Sequence, residues 1–275
     1  MPFDVVRAVA ELAGRESAWR FIHDFAAGWL RPIGPGDGYA GADLDAAEAR
    51  LGVRLPVAVR EAYRMFGRRD DLTSANGTLL EPSRLDYDAK RQLLVFRAAH
   101  QGLEYYAVSL ADPDSEDPPV FRSEPISDIV EHSGSLNLAG VRAAMAAREA
   151  GADPEEAADG MASDGMASDG MAEENWVTFL DRFSLACVDM VLWEAVEAGP
   201  HADGRDLAEG EPQSLVAGLA ELPFPRHDAS RWYAGGDILL RVDDDVWVVV
   251  LGRDREALDA FRDRHPGFWV EEEEP

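Results

Sequence analysis

A chain of 275 residues and 30.1 kDa can bury one good core with an appendage, and 46% hydrophobic residues with seven Trp fit a globular protein. Its formal charge of −27, from 53 acidic against 26 basic residues, repels phosphate backbones and attracts cations; direct nucleic-acid binding is disfavoured and a basic protein partner favoured. No apolar run reaches the roughly 18 residues of a membrane span, Asp4, Arg7, Glu11 and Arg15 interrupt any leader-like stretch, and the lone Cys187 excludes an intramolecular disulfide, so a cytoplasmic protein without membrane contact is expected.

Residues 3–31 place Phe3, Leu12, Trp19, Ile22, Phe25 and Trp29 at helical spacing, which predicts one or two amphipathic helices ended by Pro32, Gly34, Pro35 and Gly36. Asp45 with Glu48 fits a capping box for a short helix over Ala46–Leu51 closed by Gly52. Pro56 fits the first position of the next helix, which Gly67 ends. From Thr78 to Val108 the pattern shortens to strands separated by Asn76-Gly77, Asp88-Ala89-Lys90 and Gln101-Gly102, with Leu93–Arg97 and Glu104–Leu110 as an antiparallel pair. Pro118-Pro119-Val120-Phe121 opens another strand.

Residues 123–175 read as an insertion, with an Ala-rich helix near Leu138–Arg148 and a flexible acidic linker built from a five-residue repeat at Asp159, Asp164 and Asp169. Each repeat holds a single carboxylate, so the stretch lacks the alternating ligands of a calcium loop. Beyond it, Trp176 to Phe183 leads into an apolar helix, Leu185–Ala198, stopped by Gly199-Pro200. An acidic, Gly-rich loop precedes Trp232-Tyr233, then a hairpin from Gly236 to Leu251 that turns at Asp243-Asp244-Asp245. Asp254 caps a last helix, Arg255–Arg264, and Gly267–Val270 is expected as a closing strand before the acidic tail, 271–275.

With those elements placed, the chain resembles the SMI1/KNR4 family of the SUKH superfamily. The resemblance rests on Ala47-Glu48-Ala49-Arg50-Leu51-Gly52-Val53-Arg54-Leu55-Pro56 with its helix to Gly67, Phe96–Val108, Asp117-Pro118-Pro119-Val120, Trp176 into the helix through Trp193-Glu194, and the Gly236-Asp237 hairpin. It implies an α+β fold, a mainly antiparallel sheet packed by flanking helices, over 39–122 and 176–270, preceded by helices at 1–38. It also implies no enzymatic activity, no cofactor, and an immunity role in which the protein binds and neutralises a toxin domain such as a cationic nuclease. The alternative is a regulatory or scaffold module docking through its N-terminal helices and the Met-rich repeat.

The residues carry no competing chemistry. His23, His100, His132, His201, His227 and His265 are scattered without ligand spacing, so no metal site is expected. Ser109, Ser127 and Ser133 lack a nucleophile-elbow setting. Partner binding is instead expected at the acidic loop Asp112, Asp114, Glu116 and Asp117 and at the turn Asp243, Asp244 and Asp245. Glu104, Tyr105 and Tyr106 join them, the two tyrosines pointing to opposite faces of one strand, one to the core and one to a partner. Cys187 reads as a small core residue.

Overall fold

Apolar residues three and four apart build α1 (Val5–Ala10) and α2 (Arg15–Trp29), and the buried face of α2 is Phe21, Ile22, Phe25, Ala26 and Trp29. Phe21, Phe25 and Trp29 stack successively at ring separations of 5.7 and 6.0 Å. Fully burying side chains of this kind is worth about 1.5–3 kcal/mol each. Then come α3 (Gly41–Leu51), α4 (Val57–Phe66) and the single turn α5 (Asp70–Thr73). Gly52 ends α3 at φ 71°, where a side chain would be strained. Gly38 is fixed by contact: a Cβ there would lie 1.8 Å from the Arg64 carbonyl oxygen, because the chain crosses directly over the end of α4.

The computed structural model describes residues 3–99, 104–123, 175–208, 210–227 and 229–270. The chain divides into two compact units, Met1–Phe121 with Thr178–Pro275, and Arg122–Val177. Of the second unit only 122–123 and 175–177 are described. The expected Ala-rich helix, the repeat, the Gln101-Gly102 turn and the acidic tail lie outside the described residues.

The fold is α+β, with antiparallel sheets flanked by helices. One sheet contains β1 (Gly77–Leu79), β2 (Asp86–Asp88), β3 (Leu93–Ala99), β4 (Glu104–Ser109), β5 (Val120–Ser123) and β6 (Trp176–Leu180), ordered β1-β3-β4-β5-β6 with β2 also on β3. The β3–β4 pairing sets Leu94 opposite Val108, with a register shift between Val95 and Arg97. The other sheet runs β7 (Ala202–Asp206), β11 (Trp247–Gly252), β10 (Ile238–Asp243), β9 (Ser230–Gly235) and β8 (Ala220–Glu221). Its alternation sends Trp232, Ala234, Leu239, Val249 and Leu251 into the main core; Tyr233, Leu240, Val242, Val248 and Val250 form a second cluster with Leu258 and Phe261 of α8 (Arg255–Arg264).

Between these layers runs α6 (Phe183–Ala198), with twelve of its sixteen residues buried. It packs against α2, α4, α5, β7, β10 and β11, and Phe183 meets Phe96 of β3 edge-on at 5.0 Å. A helix apolar on all sides has to be central. Cys187 is buried there and its thiol is pushed far up by desolvation, so it packs and does not react. The short α7 (Pro212–Leu215) lies between β7 and β8.

Several boundaries differ from expectation. Helix α3 starts at Gly41, not Ala46, because the Asp43 carboxylate accepts the Ala40 N–H (3.0 Å) one turn earlier. Asp45 and Glu48 instead pair with Arg60 at 2.7 and 2.9 Å. Pro56 is the cap of α4 and Val57 its first residue. The Gly-rich stretch after α6 contains a strand, β7, and Trp232-Tyr233 lies within another, β9. Residues 267–270 form no strand: Val270 donates one bond to the Gly204 carbonyl (2.9 Å), but Pro266 has no N–H and Gly267 sits tightly against Arg205. The helices of residues 1–38 belong to the main unit and contribute to its core.

Candidate functional site

The loop joining β4 to β5 is acidic, and three helices hold it. Asp117 accepts from Ser184 twice, from the backbone N–H at 2.8 Å and from Oγ at 2.6 Å. It thereby caps α6 from a distance, since the cap residue Arg182 provides no side-chain bond of its own. The Glu116 carbonyl accepts the Ala58 N–H at the start of α4 (2.9 Å), and the Glu116 carboxylate pairs with Arg15 of α2 (2.9 Å). Asp112 folds back to accept the Asp114 N–H at 3.1 Å, a local turn bond. Asp112 and Asp114 are exposed, and neither forms an ion pair among the described residues.

The turn between β10 and β11 has similar composition and a different electrostatic state. Asp244 and Asp245 adopt φ of 50° and 60°, the left-handed pair of a tight hairpin. Asp243 receives Arg241 Nε at 2.9 Å, and Asp245 is bonded by Arg231. Arg241 also reaches Glu197 in the last turn of α6 at 2.6 Å. From Ser184 to Glu197 the helix rises roughly 20 Å, so the two acidic loops mark opposite ends of α6.

Glu104 is 3% exposed and accepts the Tyr106 hydroxyl at 2.9 Å, which removes it from the partner-facing set. Burial in the first place, then the neighbouring Glu104 charge, pushes the Tyr106 hydroxyl well above its usual pKa. Its ring meets Phe179 edge-on at 5.0 Å and carries Arg97 over its face at 5.4 Å. Tyr106 is therefore held inside the fold, and Tyr105 is half-buried. The expectation of one core and one free tyrosine does not describe this strand, because Phe179 and Arg97 close over the Tyr106 ring.

Two further groups were not anticipated as a site. Glu194, fully buried on α6, accepts the Ala75 and Asn76 N–H groups at 2.5 and 2.7 Å and pairs with buried Arg97 at 2.5 Å. Asp189, also buried on α6, lies 2.7 Å from His227 Nε2. The signal in the sequence was a pair of acids, Asp189 and Glu194, set among apolar residues well inside the helix, since such a residue needs an answering donor. The donors stand 97 and 38 residues away.

Among the described residues no group of three or more His, Cys, Asp or Glu side chains could hold a metal ion, and no helix is long and apolar enough to cross a membrane. No family model, curated protein or solved structure matches the chain.

Proposed function

We propose that this protein is a non-enzymatic cytoplasmic binding protein of the immunity type, which captures and neutralises a basic toxin domain through the loop at Asp112–Asp117. The observation that carries the reading is a loop whose Glu116-Asp117 end is fixed on three helices and which leaves two exposed carboxylates, Asp112 and Asp114, without a cation among the described residues. Fixed charges lose little entropy on binding and steer a cationic partner into register. The net charge of −27 acts in the same direction at long range, and the sequence resemblance to SMI1/KNR4 proteins fits the same role. A scaffold role built on the N-terminal helices has less support, because their apolar faces are buried in the core.

The test is co-expression with toxin domains encoded beside the gene, followed by gel filtration. A stable complex together with rescued growth is expected for one of them, and the absence of both for every candidate overturns the reading. In the complex, D112N/D114N slows association at low ionic strength and has little effect at high salt.

A further inference from the structure

Four large hydrophobic residues are exposed among the described residues, and three of them belong to segments attached to β7. Phe268 is 100% exposed, and Val270 and Val246 are each 59% exposed. Val270 is tied to β7 by its bond to the Gly204 carbonyl, and the Val246 carbonyl accepts the Leu207 N–H at 2.7 Å just past the end of the same strand. Scattered single apolar residues are ordinary on a surface, whereas a Phe wholly in solvent beside an exposed Val calls for a reason.

The backbone that carries Phe268 is held on both sides. Before it, Gly267 packs so closely on Arg205 that a Cβ would lie 2.9 Å from the guanidinium carbon. After it, Trp269 faces the fold, with the Arg205 guanidinium over its ring at 4.8 Å, Phe261 edge-on at 6.1 Å and Nε1 donating to the His265 carbonyl at 3.1 Å. Phe268 and Val270, on either side of Trp269, face solvent instead. A strap fixed in this way displays its aromatic ring in advance, so little entropy is lost when a partner covers it.

The charge around the strap selects the partner. Arg205 is buried beneath it and bonded to Glu211, and Arg262 pairs with Asp203 at 3.3 Å. Arg264 is an exposed base beside the strap; against it stand Asp263 and Asp206, both exposed, and the run Glu271–Glu274 that follows Val270 directly in the sequence. An apolar anchor in acidic surroundings fits a cationic protein surface that has an apolar pocket. A second copy of this chain fits poorly, because it would bring the same acids against these. The few apolar side chains also cover well under the roughly 800 Å2 that each partner of a stable dimer buries.

We propose that Phe268 is the apolar anchor of the captured toxin domain, seated in a pocket with a basic rim; this rests on the reading of the protein as a captor of such a domain. Charge at Asp112 and Asp114 then sets how fast the partner arrives, and Phe268 sets how long it stays. Surface plasmon resonance on the pair recovered by co-expression, with the full chain throughout, separates the two roles. F268S raises the dissociation rate about tenfold or more, as expected for losing a buried Phe, and changes the association rate by less than about twofold. F268L keeps most of the wild-type residence time, and D112N/D114N slows association instead. The ring is wholly in solvent in the free chain, so F268S leaves the denaturant midpoint unchanged. Equal dissociation rates for the wild type and F268S overturn the anchor, while the complex itself upholds capture. Light scattering that counts two toxin domains per chain also overturns it, by placing loop and strap on different molecules, and so does a free chain that dimerises and loses the dimer in F268S. If no candidate domain forms a complex, the capture reading falls and the anchor falls with it.

Discussion

The loop at Asp112–Asp117 and the turn at Asp243–Asp245 look alike as text, both short, exposed and acidic. In the folded chain they differ in how much of their charge is spent. At the turn, Arg241 and Arg231 answer two of the three acids, and only Asp244 is left over. At the loop, Asp117 and Glu116 are consumed in holding α6, α4 and α2 in place, and that same fixing leaves Asp112 and Asp114 facing solvent from a rigid base. Acid content therefore does not measure available charge. What matters is which carboxylates the fold has already used.

That distinction is open to attack by substitution, with the most heavily used acid first. Glu194→Ala strips two backbone N–H groups of their acceptor and leaves Arg97 buried and unpaired, so a loss of about 3–5 kcal/mol is expected. The denaturant midpoint, at unchanged slope, reads it. Asp117→Ala removes the cap of α6 and should cost about 1–2 kcal/mol. A loss no greater than that of Asp244→Ala would place the loop and the turn in one class and break the comparison.

Asp37 extends the scale to pH. Its carboxylate is held down to about 2, foremost by the Arg31 hydrogen bond, with the Gly34 N–H and the Arg69 charge also lowering it against the opposing effect of burial. The folded pKa lies below the unfolded value, so this contribution is fully present above about pH 4 and is lost as pH falls towards 2. In D37N, acid unfolding between those limits should be shallower than in the wild type. Smallest of all, D112N/D114N should change stability by less than about 0.5 kcal/mol. A larger loss would mean that these carboxylates are structural after all, and the proposed binding role would lose its base.

Helices were the most legible part of the chain, because their signals are local. Gly52 closes α3 and Asp254 caps α8 through the Ala257 N–H at 2.9 Å, as their positions in the sequence suggested. The start of α3 was misplaced for a local reason too: Asp43 offers the same acid-to-N–H bond as the Asp45–Glu48 pattern, one turn earlier. Strand β7 escaped notice because Ala202–Asp206 has almost no apolar alternation; its place is set by pairing with β11, whose Trp247 and Val249 do the burying. The acidic loop could be picked out by composition. Which of its acids were free could not, since that depends on Ser184, Ala58 and Arg15, brought together only by folding. The pairing of His227 with Asp189 was hidden for the same reason.

The position of α6 along the chain has a consequence for synthesis. The apolar faces of α2 and α4 exist once residue 66 is made, but the helix that covers them begins at residue 183. At translation rates of about 5–20 residues per second, those faces wait on the order of ten seconds for their partner. The nascent chain is thus most exposed to aggregation and to chaperones in this interval, and a stall placed between the two helices should lower the soluble yield more than the same stall placed after α6.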